Sequence, residues 1–280
     1  MVFISESSIF ISLKTQRTEG VATESQRKSE SPKKLLKEYM MEVYRLLCYF
    51  LGEPPLEFTW EYKNKKNEHY KRCGLTPLSF YKDMIPFNFD DYVCVINDPR
   101  KEHPYNNKYS IKYLGNVLNG NDITYLNLPI TRVKSLVLKS LKDNNSVWYG
   151  CDVGKFLNKN ICSMSEENTN YLGLLNIDFN MTKEERLNYK DSLMTHAMVI
   201  TGVNMDNENN ENTFNYWEVE NSWSKVGPKD GYYSMTDTWF DEYVYEVAIH
   251  KKYLNKEELD ILSKDYKMIF DPWDPMGSLA

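Results

Sequence analysis

Two polar residues at the ends of neighbouring apolar segments have side chains suited to acid–base chemistry. His196 opens the apolar run 196–203, and Asn221 follows the run 216–220, 25 positions later (221 minus 196). Imidazole is the usual general base of enzymes, and an amide oxygen can accept a hydrogen bond from one ring nitrogen. That bond would fix the tautomer and orientation of the ring, so that its other nitrogen faces a nucleophile. The pair therefore suits an acyl transfer that a thiol initiates.

Each of these residues also has a structural interpretation. A histidine that opens an apolar strand is often part of the core, and Asn-Ser-Trp at 221–223 would by itself indicate a turn with a packing tryptophan. Next to a catalytic histidine, Trp223 would instead shield the histidine–amide bond from water. Asp152 and Lys155, on either side of Gly154, are interpreted as part of a solvated turn.

The pair depends on strands that bring its members together. The runs 196–203 and 216–220 are separated by the polar loop 204–215, which is typical of an antiparallel pair. Capping boxes are predicted at Thr182 with Glu185 and at Asn255 with Glu258. Apolar spacing predicts the remaining elements: helices over 33–51 and about 131–143, and strands over 146–149 and 244–249.

Composition limits the classes of protein. A chain of 280 residues with 41% apolar content can bury a large core, and its net charge of −6 without a dense Lys/Arg run disfavours nucleic acid or an anionic membrane as partner. Five cysteines without close pairing fit a reducing compartment. We find no signal peptide and no apolar run near the roughly 20 residues of a membrane helix. A soluble, cytoplasmic protein is expected.

Metal and cofactor chemistry has little support in the sequence. The four histidines have no paired spacing with one another or with cysteines, which disfavours a zinc site. A glycine-rich phosphate loop is also missing from the sequence. We therefore expect no metal and no cofactor.

Several longer segments carry a family resemblance. They are LGEPP at 51–55, FTWEY at 58–62, VWYGCDVGK at 147–155, SLMTHAM at 192–198, VENSW at 219–223 and WDPMGSLA at 273–280. In this order, from about Leu35 to the last residue, they resemble the bleomycin hydrolase family of papain-like cysteine aminopeptidases.

The resemblance implies an α+β papain-like fold, with the C-terminal β-rich half and a preceding helical region but without the N-terminal helical half that carries the nucleophile. It implies a helical and irregular region 35–129, the β-rich half 130–254, and a C-terminal helix and arm 255–280. The segment 1–34 before them is expected to be mobile, because residues 14–34 are polar with almost no large apolar side chain; a weakly held helix is the alternative there.

The resemblance also implies roles for individual residues. His196 and Asn221 would be catalytic, Leu279 and Ala280 would meet the amino group of the substrate, and Gly150 with Cys151 would wall the cleft. The implied activity is thiol-dependent removal of N-terminal residues from peptides and hydrolysis of bleomycin. The partners would be peptides with a free N-terminus and further copies of the chain in a homo-oligomer, a hexamer in the family.

The nucleophile is the main departure from the family, in which it lies in a Gln…Cys-Trp motif. No cysteine in these 280 residues precedes a tryptophan. Cys73 precedes His196 by 123 positions (196 minus 73), roughly the papain spacing, but Leu75, Thr76 and Pro77 predict no helix there that could stabilise a thiolate.

Without that motif, this polypeptide is expected to be inactive by itself. The alternative to an active protease is a truncated product or pseudoenzyme with an assembly or peptide-binding role. The retained His196 and Asn221 favour an incomplete gene model of an active protease over a pseudoenzyme.

Overall fold

The computed structural model describes residues 32–85, 87–114, 122–169, 171–176, 181–205, 214–223, 228–265 and 267–279. Most of the segment 1–34, predicted to be mobile, and Ala280 lie outside the described residues. The chain divides into two compact units, Met1–Phe87 and Asn88–Ala280. None of the described helices is long and apolar enough to cross a membrane.

The first unit contains two helices and a hairpin in its described part. Its elements are α1 (Pro32–Leu51), β1 (Phe58–Lys63), β2 (His69–Leu75) and α2 (Pro77–Met84). The helix predicted over 33–51 is confirmed as α1. Gly52 ends it with a left-handed backbone (φ 83°), a conformation that costs little without a Cβ atom, and its N–H bonds the Cys48 carbonyl.

The second unit is organised around one large mixed sheet. The strands are β3 (Tyr92–Ile96), β4 (Asn107–Ile111), β5 (Tyr125–Asn127), β6 (Val147–Cys151), β7 (Leu157–Asn158), β8 (Ser163–Met164), β9 (His196–Met205), β10 (Phe214–Glu220), β11 (Tyr232–Thr236), β12 (Val244–His250) and β13 (Met268–Phe270). These described strands lie in the order β13-β4-β5-β3-β12-β6-β9-β10-β11-β8-β7. The helices are α3 (Ile130–Lys142), α4 (Tyr171–Leu175), α5 (Lys183–Asn188), α6 (Asp237–Tyr243) and α7 (Lys256–Ser263). The architecture is α+β, as predicted.

Residues 88–129 differ from the sequence interpretation, which grouped them with the helical region before them. They supply β3, β4 and β5 to the same sheet as the later strands. β3 pairs with β12, so that Val93 lies opposite Ile249. Pairing over such a distance in the sequence leaves no local pattern, and the prolines and aromatic residues of this stretch indicate only short elements.

The antiparallel pair that was predicted around the polar loop is confirmed as β9 and β10. Its register changes by one residue where Glu218 lies opposite Gly202 and the next residue, Val219, lies opposite Ile200. Thr201 is therefore the extra residue of a β-bulge on β9. Both strands reach beyond the predicted bounds, since β9 continues to Met205 and β10 begins at Phe214.

Two apolar clusters hold this sheet. In the first, α3 contributes Val133, Leu136 and Val137 to a core that includes strand residues such as Ile200 and Trp217. A second cluster gathers Met194, Tyr245, Phe270 and Met276, with Leu279 packed against it. Residues 271–279, hereafter the C-terminal arm, are thus partly built into the core of the second unit.

Candidate active site

His196 and Asn221 lie within hydrogen-bonding distance of each other. His196 is the first residue of β9 and Asn221 follows the last residue of β10, so the antiparallel pairing brings both to the same end of the sheet. The His196 Nε2 atom is 2.9 Å from Asn221 Oδ1, and Asn221 is only 7% exposed. An amide oxygen can only accept, so Nε2 donates and Nδ1 is left as the acceptor. In this orientation Nδ1 is the ring nitrogen that is available to accept a proton.

Trp223 packs against the histidine of this pair. Its ring lies 5.0 Å from the His196 ring, centroid to centroid, at an interplanar angle of 31°. The ammonium group of Lys159 lies 4.5 Å from the centroid of the Trp223 ring, and the Tyr233 ring meets the Trp223 ring edge-on. A cation over the face of an indole is an attractive contact. Lys159 therefore helps to hold Trp223, a role that its position in a polar turn between two very short strands did not indicate.

A polar network around the buried side chain of Asp152 precedes His196. The Thr195 N–H bonds the Cys151 carbonyl, and the Thr195 hydroxyl donates to Asp152 Oδ1 at 3.2 Å. Ser192 Oγ donates to Asp152 Oδ2 at 2.8 Å and accepts from the Tyr245 hydroxyl at 2.7 Å. These bonds fix the segment that leads into β9.

The interpretation of Asp152 as part of a solvated turn is therefore wrong. Asp152 is 6% exposed, and two hydroxyl groups take the place of water around its carboxylate. Lys155 is more exposed and pairs with Asp191, also on the surface, at 2.9 Å. The two charges of one short segment thus lie in different environments, which sequence order alone does not distinguish.

The two predicted cleft-wall residues lie beside the strand that carries His196. In the β6–β9 register, Cys151 lies opposite His196 and Gly150 opposite Ala197. The Cys151 thiol is fully buried and lies 3.7 Å from the His196 carbonyl oxygen. Burial, and then the nearby Asp152, raises the pKa of this thiol above its usual value. Cys151 is therefore a packing residue and not a reactive thiolate.

Cys73 is exposed in β2 of the first unit. Contrary to expectation, a short helix, α2, does begin nearby at Pro77. Proline is favoured in the first turn, and Thr76 forms a capping box with Ser79, which explains that start. Cys73 is in a strand four residues before this helix (77 minus 73), so its thiol is not part of the helix N-terminus.

The C-terminal arm meets the same region of the second unit. Ser278 Oγ donates to the carbonyl of Met194, two residues before His196, at 2.7 Å. A Cβ atom added at Gly150 would lie 3.1 Å from Leu279 Cδ1. Leu279 and Gly150, both predicted site residues, are thus brought together. Ala280 lies outside the described residues.

Comparisons with known proteins show what this chain is similar to. The model of the Peptidase C1-like family matches residues 13–277. Aminopeptidase C of Listeria innocua is 42% identical over 269 residues, which cover 94% of this chain and 59% of that protein. Bleomycin hydrolase of Mus musculus is 44% identical over 245 residues, which cover 86% of this chain and 53% of that protein.

Among solved structures, PepW from Lactobacillus rhamnosis is similar with a TM-score of 0.84 and 40% identity, covering 91% of this chain and 57% of that one. The chain spans about half the length of the curated relatives it matches, from 53% to 59% of the two above. The match therefore extends over nearly all of this chain and over a part of each relative.

Proposed function

We propose a function for this chain on the premise that it belongs to the Peptidase C1-like family and has the papain-like α+β fold. The chain supplies the base of a cysteine aminopeptidase of the bleomycin hydrolase type. The observation that carries the proposal is the 2.9 Å contact between His196 Nε2 and Asn221 Oδ1. It leaves Nδ1 free to take a proton from a thiol.

The proposed reaction is acyl transfer in two steps. A thiolate attacks the carbonyl carbon of the first peptide bond, and the imidazolium of His196 then protonates the leaving amine as the thioester forms. Water hydrolyses the thioester, with His196 accepting its proton. Asn221 keeps the ring in the productive orientation, and Trp223 keeps water from their bond.

We propose that none of the five cysteines of this chain is the thiol of this reaction. None of the five cysteines precedes a tryptophan, Cys151 and Cys162 are buried, and burial raises the pKa of the Cys94 thiol. We therefore propose that the polypeptide alone has no turnover. The alternative, a non-catalytic assembly or peptide-binding protein, is favoured by the same observation.

We further propose that the C-terminal arm recognises the free amino group of peptide substrates through Leu279 and Ala280. The contact of Leu279 with Gly150, opposite Ala197 in the neighbouring strand, supports this role. A carboxylate held near such a site would pair with an ammonium group in a partly dry environment.

The proposal extends to the state of the protein in the cell. Its cysteines are all free, which suits a reducing compartment such as the cytoplasm. Helix α1 exposes a row of large apolar side chains, among them Met40, Leu47 and Phe50, which supports a homo-oligomer. Light scattering on the purified polypeptide measures the number of copies.

Complementation tests the function. The chain is fused to, or mixed with, the part of aminopeptidase C of Listeria innocua that this chain does not cover. Turnover of an aminoacyl anilide is then measured. We expect thiol-dependent turnover that His196→Ala lowers by about 10²–10⁴-fold and Asn221→Ala by less. His69→Ala, at an exposed position of β2, is the matched control and should retain full activity. Equal activity of His196→Ala and His69→Ala would exclude the assigned base.

A further inference from the structure

An ion pair near its start holds the C-terminal arm to residues that lie far from it in the sequence. The guanidinium of Arg100 donates to both oxygens of Asp274, from Nη1 at 3.0 Å and from Nη2 at 2.8 Å. The same guanidinium donates to both oxygens of Asp98, from Nε at 2.9 Å and from Nη2 at 2.8 Å. One side chain thus joins the end of β3 to the arm through two bidentate pairs.

The environment of these ion pairs makes their bonds strong. Arg100 is 6% exposed and Asp98 is fully buried, so solvent and salt screen the pairs little. His103 adds a further contact, 2.8 Å from its Nδ1 atom to Asp98 Oδ2. Burial alone would raise the pKa of Asp98, but the bonds from His103 and Arg100 outweigh it and hold the pKa below its usual value.

These ion pairs determine the path of the residues that follow. Asp274 Oδ1 also accepts from the Met276 N–H, which starts the 3₁₀ turn Pro275–Gly277. Met276 is fully buried in the second apolar cluster, Ser278 bonds the Met194 carbonyl, and Leu279 lies against Gly150. Each step from Asp274 to Leu279 is therefore fixed relative to the strand that carries His196.

We propose that Arg100 and Asp274 are positioning residues: their ion pair fixes the register of the C-terminal arm beside the His196 strand and thereby sets the preference for substrates with a free amino group. The preference, unlike the anchoring, rests on the function proposed above. The competing explanation is that Met276 and Leu279 hold the arm by apolar packing alone.

Hydrogen exchange of the polypeptide by itself tests the anchoring. Asp274→Asn keeps an oxygen that can cap the 3₁₀ turn and leaves Arg100 paired with Asp98, so it removes little besides the second ion pair. Arg100→Lys is the companion variant, because a lysine cannot reach both carboxylates with a planar fork. We expect the protection factors of amides 276–278 to fall about tenfold in each variant.

Glu258→Gln is the matched control. Glu258 is likewise a capping carboxylate with a bidentate arginine, since Arg132 Nε and Nη2 donate to it at 2.7 and 2.8 Å, but it lies in α7. It should lower the thermal midpoint by a similar amount and leave the protection of the arm unchanged. Equal loss of protection in Glu258→Gln and Asp274→Asn, or no loss in either, would overturn the anchoring role.

The complemented enzyme tests the preference. Asp274→Asn should raise the ratio of kcat/KM for an N-acetylated peptide over the free peptide by about tenfold, whereas a merely structural loss would lower both values together. An unchanged ratio overturns the specificity role. Complete inactivity of the parental complex overturns the proposed function and that role with it, while hydrogen exchange still decides the anchoring independently.

Discussion

Leu279 packs into the space that a side chain on Gly150 would occupy. A Cβ atom at Gly150 would lie 3.1 Å from Leu279 Cδ1 and 2.9 Å from the sulfur of Met194. Real Cβ atoms do not come as close to another heavy atom as 2.9 Å, so any larger residue at 150 must displace the side chain of Met194, and it presses on that of Leu279 as well.

We therefore predict that Gly150→Ala lowers the free energy of unfolding by about 1–3 kcal/mol and reduces the protection of the arm. Gly154→Ala is the control, because a Cβ atom there would meet only Asp152 Oδ1, at 3.9 Å. Both changes reduce the entropy of the unfolded chain alike, so their difference reports the packing. Urea unfolding measures it, and equal stabilities would mean that Leu279 and Met194 move aside without cost.

The buried network before His196 gives a second prediction. Ser192→Ala removes the partner of both Asp152 Oδ2 and the Tyr245 hydroxyl, and should lower the free energy of unfolding by about 1–3 kcal/mol. In the complemented enzyme it should also reduce kcat, because the entry to β9 loses its anchor. Ser140→Ala, at a buried serine in α3 that donates only to the Asn145 carbonyl, should destabilise without that effect. Similar kcat values for the two variants would contradict a positioning role for Ser192.

A third prediction concerns pH. Burial raises the pKa of Glu246 from 4.5 to about 7, although a hydrogen bond with Cys94 opposes it. The folded state then binds the proton more tightly than the unfolded state, so stability is full below pH 4.5 and falls as the pH rises to about 7. The pKa values of the Cys94 and Tyr125 side chains, which face Glu246, are raised as well, mainly by burial. Both groups stay neutral in this window.

Glu246→Gln should abolish this loss, which is on the order of 3 kcal/mol for a pKa raised from 4.5 to about 7. Burial lowers the pKa of Lys183 to about 7, and below that pH it is charged in both states, so it adds no slope there. Denaturation series between pH 4.5 and 7 provide the measurement. If the variant and the parent keep the same slope, Glu246 is not the group responsible.

A fourth prediction separates the cysteines by reactivity. Under native conditions iodoacetamide should label Cys73 readily, because that thiol is exposed, and should label Cys151 and Cys162 at least about a hundredfold more slowly, since both are buried. Mass spectrometry of the digested protein gives the rate at each site. Fast labelling of Cys151 would show that β6 opens easily and would restore Cys151 as a candidate nucleophile.

The site was predictable from sequence where strands and motifs coincide. His196 and Asn221 are adjacent in the structure because two apolar runs with a polar loop between them pair antiparallel, and both features are local in the sequence. Periodicity likewise predicted α1 and α3, whose apolar faces repeat at helical spacing.

Contacts between distant segments were not predictable in this way. Arg100 and Asp274 are 174 positions apart, and neither has a neighbour in sequence that indicates an ion pair. Lys159 meets Trp223 only because β8 joins the sheet beside β11. The burial of Asp152 depends on hydroxyl groups at 192 and 195, which lie on another segment. Tertiary packing determines such contacts, and a pattern along the chain does not encode it.

The bulge at Thr201 changes which residues of β9, those at even or those at odd positions, face the core. On the His196 side of it the buried residues are Met198 and Ile200, at even positions, whereas Val203, at an odd position, packs against the same cluster beyond it. Side chains alternate between the two faces of a strand. The extra residue therefore allows Met198 and Ile200, before the bulge, and Val203, after it, to lie on the same face of the sheet. Deleting that residue would force a choice between burying Val203 and keeping His196 on the side of Asn221. The length of this strand, to the single residue, is thus as much a condition for the site as the identity of its histidine.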